Sequence, residues 1–402
     1  MRTIKMRMVN GTANNNKFYD ILFHDDGSVT AHWGRVGTNG QTAPLDDWEK
    51  KYREKLRKGY RDVTDLQQEE SNVEVKSNIE DKDVADLIAK LSSYSNDFIK
   101  NNYRISANSV TRAQVEEVQN CIATMKGIAE KYAKSELKNE RYAVESFNWG
   151  IEEILTTIPR VVVRVKDLLA KSPKDFNDIL EREQSILNVM AAKVKAHEVE
   201  IDGKGMLEAH GLEIRPVTAK EKESILSHLD NSTRQRFVRA FRVVNKNTED
   251  RFDKFCKDND YGEKDIHFNY HGSRNRNWLG ILQNGLCLNP KAPTTGHMFS
   301  APGCGIYTAT SSAKSANYAS LRDCYWNNEA MDRGYLAVFK VAMKNPHHVY
   351  RFTSDCSSLT QKHMDRMGCD GTFAHKGPSL HADEIIVYRE EQMTIRYLIE
   401  IK

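Results

Sequence analysis

The run Tyr270-His271-Gly272-Ser273-Arg274 is followed by Gly305-Ile306-Tyr307, then by Ser315-Ala316-Asn317-Tyr318, and near the C-terminus by Asp383-Glu384-Ile385-Ile386-Val387-Tyr388. A histidine, two tyrosines and a glutamate on or beside predicted strands suit one demanding reaction, cleavage of the nicotinamide–ribose bond of NAD. That cleavage builds positive charge on the sugar. A site for it must hold the carboxamide, flatten the ring against an aromatic, and set a carboxylate near the developing cation. Gly272 leaves its backbone N–H and C=O open to a close ligand, and Ser315 offers a hydroxyl. Tyr318, three residues on, is expected on the same helix face as Ser315.

Taken singly, each residue has a structural explanation: a capping histidine, core tyrosines, a solvated strand-edge glutamate. Their order and spacing resemble the His-Tyr-Glu signature of the poly(ADP-ribose) polymerases, and the run from Asn277 to Leu286 resembles the helix and turn after that family's His-Gly-Ser motif. The resemblance implies that His271, Tyr307 and Glu384 are catalytic. It implies that His271, Gly272, Ser273, Asn277, Gly280, Ser315 and Tyr318 bind NAD, which is the substrate. The matching Gly and Ser grip the carboxamide, the matching Tyr318 stacks on nicotinamide, His271 binds the adenosine ribose, and Glu384 polarises the acceptor hydroxyl. No P-loop or dinucleotide fingerprint is present, since Gly303-x-Gly305 is followed by Thr308 where a third glycine is required, so the fold is not Rossmann. Two departures stand out: the Met298 to Gly305 loop is longer than usual, with Cys304 in place of a common Lys, and Cys287 stands where many members carry an Arg. Lys291 and Arg274 are the available substitutes for that cation.

At the other end, Lys17 to His24 and Ser28 to Trp33 are β-rich runs joined at Asp25-Asp26-Gly27, a hairpin signature. They lead into Trp33-Gly34-Arg35-Val36-Gly37, which resembles a WGR domain. The resemblance implies DNA contact through Trp33, Arg35 and Lys17. A segment rich in Lys and Arg between Lys50 and Arg61, with Glu54 as its one acid, supports phosphate binding beside such a motif.

Helical periodicity dominates the middle of the chain: Val84, Leu87, Ile88, Leu91 and Phe98; Val115, Val118, Ile122 and Met125 after the cap candidate Thr111; Phe147 to Ile158; and a helix opening at Ser172-Pro173. Its place resembles the regulatory helical domain of the DNA-dependent polymerases. The expected organisation is multidomain α+β: a small β-rich WGR domain (1–75), an all-α helical bundle (79–205) and a mixed α/β ADP-ribosyltransferase domain (209–402). Within the last, Tyr335 to Val341 reads as a buried central strand, and Ile395, Tyr397, Ile399 and Ile401 alternate with Arg396 and Glu400 as a half-buried one.

The 402 residues exceed one ordinary core, and 39% apolar with 29% charged residues suits globular domains. A net charge of +3 is too small to argue nucleic-acid binding by itself. No apolar run reaches membrane-spanning length and the N-terminus carries no signal peptide, so the expected location is intracellular: nuclear in a eukaryote, cytoplasm or nucleoid in a bacterial or viral setting. Seven cysteines without a CxxC pair indicate neither a disulfide scaffold nor structural zinc. The group His347, His348, Cys356, His363, Cys369 and His375 fits no closed four-ligand spacing and reads as a polar loop, so no metal is expected. The expected function is a DNA-break-activated NAD ADP-ribosyltransferase that builds poly(ADP-ribose) on itself and other proteins; the expected partners are broken DNA and protein acceptors, with no membrane. The alternatives are a mono-ADP-ribosyltransferase and a catalytically weak DNA-end sensor.

Overall fold

The computed structural model describes residues 2–11, 13–64, 79–162, 164–201, 205–288, 305–321 and 331–402. They form two compact units. The segment between Gln67 and Asn78, the loop from Met298 to Cys304, and Lys291 lie outside the described residues.

The first unit opens with five antiparallel strands, β1 (Arg2–Asn10), β2 (Asn15–Phe23), β3 (Val29–Arg35), β4 (Gln41–Pro44) and β5 (Arg61–Asp62), in the order β4-β3-β2-β1-β5. The β2–β3 hairpin turns where the sequence predicts, with Gly27 at φ +83° and Asp26 accepting hydrogen bonds from the Ser28 amide and hydroxyl. Alternate residues Ile4, Met6, Tyr19, Ile21 and Ala31 make one small core. Helix α1 (Trp48–Arg57) starts at Asp47, whose carboxylate accepts from the Lys50 amide at 2.9 Å. After α2 (Lys82–Asn102) come α3 (Arg112–Ala133), α4 (Glu140–Thr157) and α5 (Phe176–Ile201). Thr111, the expected cap, forms a capping box with Gln114. Phe147 and Phe176 stack at 4.1 Å in the centre of this helical core.

The second unit is built on a nine-stranded sheet. Its elements are α6 (Met206–Ala209), β6 (Leu212–Pro216), α7 (Ala219–His228), α8 (Asn231–Arg234), β7 (Phe237–Asn245), α9 (Lys246–Asp258), β8 (Ile266–Ser273), α10 (Trp278–Asn284), β9 (Ile306–Ala309), α11 (Ser312–Ala316), β10 (Gly334–Ala342), β11 (Pro346–Val349), α12 (Gln361–Met367), β12 (Gly371–Ala374), β13 (Glu384–Val387) and β14 (Met393–Ile401). The sheet order is β11-β12-β13-β9-β8-β10-β14-β7-β6, and every neighbouring pair is antiparallel except β11–β12. This is not the parallel, doubly wound sheet of a Rossmann domain. Strand β10 holds the buried central position that its apolar run predicts.

The first half of α2 packs in this unit. Val84, Leu87, Ile88 and Leu91 share a core with Phe241, Trp278, Tyr335 and Phe339. Arg239 on β7 fastens the helix to the sheet, pairing with Asp83 and Asp86 on α2 and with Glu400 on β14. Periodicity shows that α2 has an apolar stripe; it does not show what the stripe packs against.

Strand β14 departs from its expected alternation. Val338 pairs with Tyr397 but Phe339 pairs with Ile395, so Arg396 is an extra, bulged residue. The bulge shifts the phase: Ile395 and Leu398 face one core, while Ile399 and Ile401 face the other. Glu400, expected at the solvated face, is 1% exposed and reaches Arg239 at 2.6 Å. A buried carboxylate is tolerable there because it is paired and hydrogen-bonded.

Candidate active site

Strands β8, β9 and β13 are neighbours, and they carry His271, Tyr307 and Glu384 respectively. The ladder between β8 and β9 is a single registered pair, Tyr270 with Ala309. Past it, His271 Nδ1 bonds to the Tyr307 carbonyl at 2.9 Å. A carbonyl only accepts, so Nδ1 carries the proton and Nε2 is left as an acceptor in the neutral ring. Burial holds the His271 pKa below its ordinary value despite the opposing pull of that bond, which keeps the ring neutral at pH 7.

Glu384 opens β13, paired with Ala309 on one side and Ala374 on the other. The loop before it is pinned through Asp383, whose side chain accepts from the Lys376 amide and whose carbonyl accepts from Thr310. Glu384 is 8% exposed, and Lys314 Nζ lies 2.6 Å from its Oε1. Burial pushes the Glu384 carboxyl above the usual carboxylate range, and Lys314 offsets part of that rise. Lys314 is a residue that the motif reading passed over, although it stands directly before Ser315.

Gly272 lies against the backbone of α11. A methyl group at Gly272 would sit 1.8 Å from the Ser315 carbonyl oxygen, so only glycine allows this approach of strand and helix. Helix α11 is held at its start by Asp230, whose Oδ2 accepts from Ser311 Oγ, Ser312 Oγ and the Ala313 amide at 2.8–3.0 Å. Burial raises the Asp230 carboxyl, but these bonds outweigh it and hold the pKa low. Asp230 is 82 residues from Ser312 in sequence and has no local signal as a cap.

The other expected site residues divide. Tyr318 is not on α11 but in the turn after it, its amide bonded to the Ser315 carbonyl, with 41% of its surface exposed. The helix is too short to carry a residue so far beyond its start. Ser273 and Asn277 bond to one another at 3.0 Å and tie the end of β8 to α10. Gly280 lies within α10, its carbonyl accepting from Asn284. Cys287 is exposed.

The histidine and cysteine group is not a polar loop. His347 and His348 are on β11, His363 is on α12, and Cys356 is buried in an apolar cluster with Val349, Met364 and Tyr388. A four-residue edge strand paired to β12 accounts for the difference, because a short edge strand is fixed by main-chain pairing with a distant segment that local composition does not show. His348 and His375 share a hydrogen bond of 2.9 Å.

In the first unit, Lys17 and Arg35 are direct cross-strand partners on β2 and β3. Trp33 stacks on Tyr19 at 6.0 Å, and Arg35 Nη1 donates to the Asn14 carbonyl. Gly40, at φ +67°, packs its backbone against Gly34, and Trp33, Gly34, Thr38, Asn39, Gly40 and Gln41 line a cavity of about 400 Å³. The basic segment is partly neutralised: Lys51 and Lys58 pair with Glu54 inside it, and Arg53 with Glu49 and Arg61 with Glu117 and Glu153 outside it. Lys55 caps the Tyr19 ring at 3.9 Å.

His271, Tyr307 and Glu384 thus lie on three consecutive strands of the sheet, and Gly272 presses on the helix that carries Lys314 and Ser315. Residues 219–402 match the model of the poly(ADP-ribose) polymerase catalytic domain, and residues 2–67 match the WGR domain. Residues 219–402 thus form a catalytic domain of the poly(ADP-ribose) polymerase type, and the chain is an NAD ADP-ribosyltransferase by class. It is 22% identical to poly(ADP-ribose) polymerase 2 of Arabidopsis thaliana across 99% of this chain and 72% of that protein. It is 31% identical to human poly(ADP-ribose) polymerase 2 across 33% of this chain and 26% of that one, and 26% identical to protein 101L of Invertebrate iridescent virus 6 across 45% and 74%. Among the described residues no helix is long and apolar enough to cross a membrane.

Proposed function

We propose that this protein is a nuclear or nucleoid enzyme, activated by DNA strand breaks, that cleaves NAD, releases nicotinamide and builds poly(ADP-ribose) on itself and on other proteins in the response to DNA damage. The observation that carries the reading is Glu384, buried and held by Lys314 on the strand next to that of Tyr307, with the strand of His271 one further on. Gly272 and Ser315 grip the carboxamide of the NAD substrate, and Tyr307 and Tyr318 flank the nicotinamide ring. His271 Nε2 accepts from the adenosine ribose, with Ser273, Asn277 and Gly280 shaping that side. As the glycosidic bond lengthens, Glu384 stabilises the cationic ribose and then orients the incoming hydroxyl of the acceptor. Lys314 positions Glu384 and favours its ionised form. Trp33, Arg35 and Lys17 meet the broken end of DNA. In this reading the chain works as three parts: a DNA-binding domain (1–75), a helical regulator (79–205) and the transferase (209–402).

Tyr318→Ala removes a stacking surface with a value of about 0.5–1.5 kcal/mol. Benzamide-type inhibitors are expected to bind several-fold more weakly, at unchanged melting temperature. Unaltered inhibitor affinity would remove Tyr318 from the pocket.

The reading as a whole is tested with labelled NAD, with and without nicked DNA, scoring nicotinamide release and polymer on a gel. Nicked DNA is expected to raise turnover. Trp33→Ala and Arg35→Ala should diminish that rise and leave basal turnover in place. Because phosphate contacts drive such binding, stimulation should fall steeply as salt increases. Equal turnover with and without DNA at low salt would eliminate the activation; nicotinamide release without polymer would reduce the enzyme to single transfers.

A further inference from the structure

The bulge in β14 leaves Arg396 without a place in the regular alternation. Its guanidinium lies over two rings, 5.9 Å from the centroid of Phe268 and 5.6 Å from that of Tyr397. Arg242 approaches the Tyr397 ring at the same distance of 5.6 Å, and its Nη1 donates to the Arg396 carbonyl. Phe268 is 55% exposed, unusual for a phenylalanine in the interior of a nine-stranded sheet.

Two guanidiniums therefore flank one aromatic ring beside a second, open ring. Neither Arg242 nor Arg396 forms an ion pair among the described residues, although carboxylates stand nearby. Glu221 on α7 is taken by Arg215 in a two-bond pair at 2.7 and 2.8 Å, and Glu249 on α9 is taken by Lys340. Burial and the neighbouring Arg396 lower the Arg242 pKa; the Glu221 and Glu249 charges pull the other way without reversing it. Adjacent like charges are costly, and Glu221, whose Oε1 accepts from the Tyr397 hydroxyl at 3.5 Å, offsets the repulsion only in part; an anion bound between the two arginines would relieve the rest. The open phenylalanine face adds a stacking surface of the kind that holds nucleobases.

The patch also has a fixed relation to the active site. Glu384 pairs with Ala309, Ala309 with Tyr270, Tyr270 with Val338, Val338 with Tyr397, and Tyr397 with Arg242. One cross-strand row thus runs from Glu384 to the arginine pair. At about 4.8 Å per strand step, four steps place Tyr397 roughly 19 Å from Glu384 along the sheet.

We propose that Arg242, Arg396, Tyr397 and Phe268 form a binding site for the growing ADP-ribose chain, the arginine pair holding a pyrophosphate and Phe268 stacking an adenine. The inference rests on the polymer-forming reading above. A single-stranded nucleic acid offers one phosphate for each base, whereas an ADP-ribose unit offers two linked phosphates for each purine. Two guanidiniums about one ring, with a second, exposed ring that only Arg396 approaches, match the second ratio. A chain retained there stays close to Glu384 for further rounds of transfer.

The test uses the full-length chain with Glu384→Gln, so that nothing is synthesised during the measurement, and purified ADP-ribose oligomers made by another enzyme. Fluorescence anisotropy gives the affinity for these oligomers and for a single-stranded oligonucleotide of matched charge. The double change Arg242→Ala and Arg396→Ala is expected to raise the Kd for the oligomer about tenfold or more and to leave that for the oligonucleotide little altered. Phe268→Ala should weaken oligomer binding several-fold. Arg396→Lys should fall between, because it keeps charge and loses the bidentate fork. In the Glu384-containing chain the same substitutions should leave nicotinamide release and melting temperature intact and shorten the polymer. Unchanged oligomer affinity in the double variant would overturn the proposal. So would an equal loss for both ligands, which would make the patch a general nucleic-acid site. Failure of the unaltered chain to make polymer would strike the polymer-forming reading alone, since the binding probe is supplied ready-made.

Discussion

Glu384→Gln is expected to abolish polymer while slow nicotinamide release persists, a fall in elongation of roughly 10²–10⁴-fold. The amide keeps the shape of the side chain and its place at the head of β13, so the fold should be intact. On the proposed reading, what it removes is the negative charge that faces the cationic ribose and orients the acceptor hydroxyl. Normal polymer from this variant would refute the assignment. The pH profile offers a second check, with a sign fixed by the site. Burial raises the Glu384 pKa, so the ionised form is lost, on acidification, at a higher pH than for an ordinary carboxylate. Elongation should thus show an acid limb above the usual carboxylate range. Lys314 lowers that pKa through its hydrogen bond and its charge. Lys314→Met should therefore move the limb further toward neutral pH, whereas loss of packing alone would lower the rate evenly across the profile.

Much of the site was legible because its residues lie in short, contiguous motifs. His271 and Gly272 sit together on β8, Tyr307 is on β9, and Glu384 begins β13, each where local pattern places it. That these strands are neighbours follows from sheet order, which no window of sequence displays. The Gln67 to Asn78 boundary and the Met298 loop fall outside the described residues, so those expectations gain nothing from the fold. Asp230 escaped notice because it caps a helix from far along the chain, and Lys314 because a lysine on a short helix ordinarily points to solvent. The β14 bulge defeated a simple period-two reading. One extra residue exchanged the faces of everything beyond it, burying Glu400 and leaving a half-buried Arg396 outside the regular alternation. The first half of α2 shows the same limit: its stripe of Val84, Leu87 and Leu91 was evident, but its partners Trp278 and Tyr335 lie far off in sequence.

Gly272→Ala should be the most damaging conservative change in the transferase unit. The added methyl would stand 1.8 Å from the Ser315 carbonyl oxygen and 2.7 Å from its carbonyl carbon, and both are backbone atoms. No rotamer change can relieve that overlap, so either β8 or α11 must move. Strand β8 is registered along its whole length against β10, from Ile266 to Ser273, and has little freedom. Helix α11 has one turn and a single carboxylate, Asp230, at its start, and it is the element that gives way. Its displacement carries Ser315 away from the pocket and Lys314 away from Glu384. A misplacement of about 1 Å at reacting groups can cost on the order of 10²-fold in rate, while overpacking of this kind costs about 1–3 kcal/mol in stability. The expected result is NAD turnover reduced by about 100-fold or more, with weakened benzamide binding and only a modest fall in melting temperature. Turnover and inhibitor affinity are the decisive readings, because a purely structural glycine would lose stability and keep both. Full activity in Gly272→Ala would show that strand and helix can separate without consequence, and that the contact between Gly272 and Ser315 does not shape the pocket.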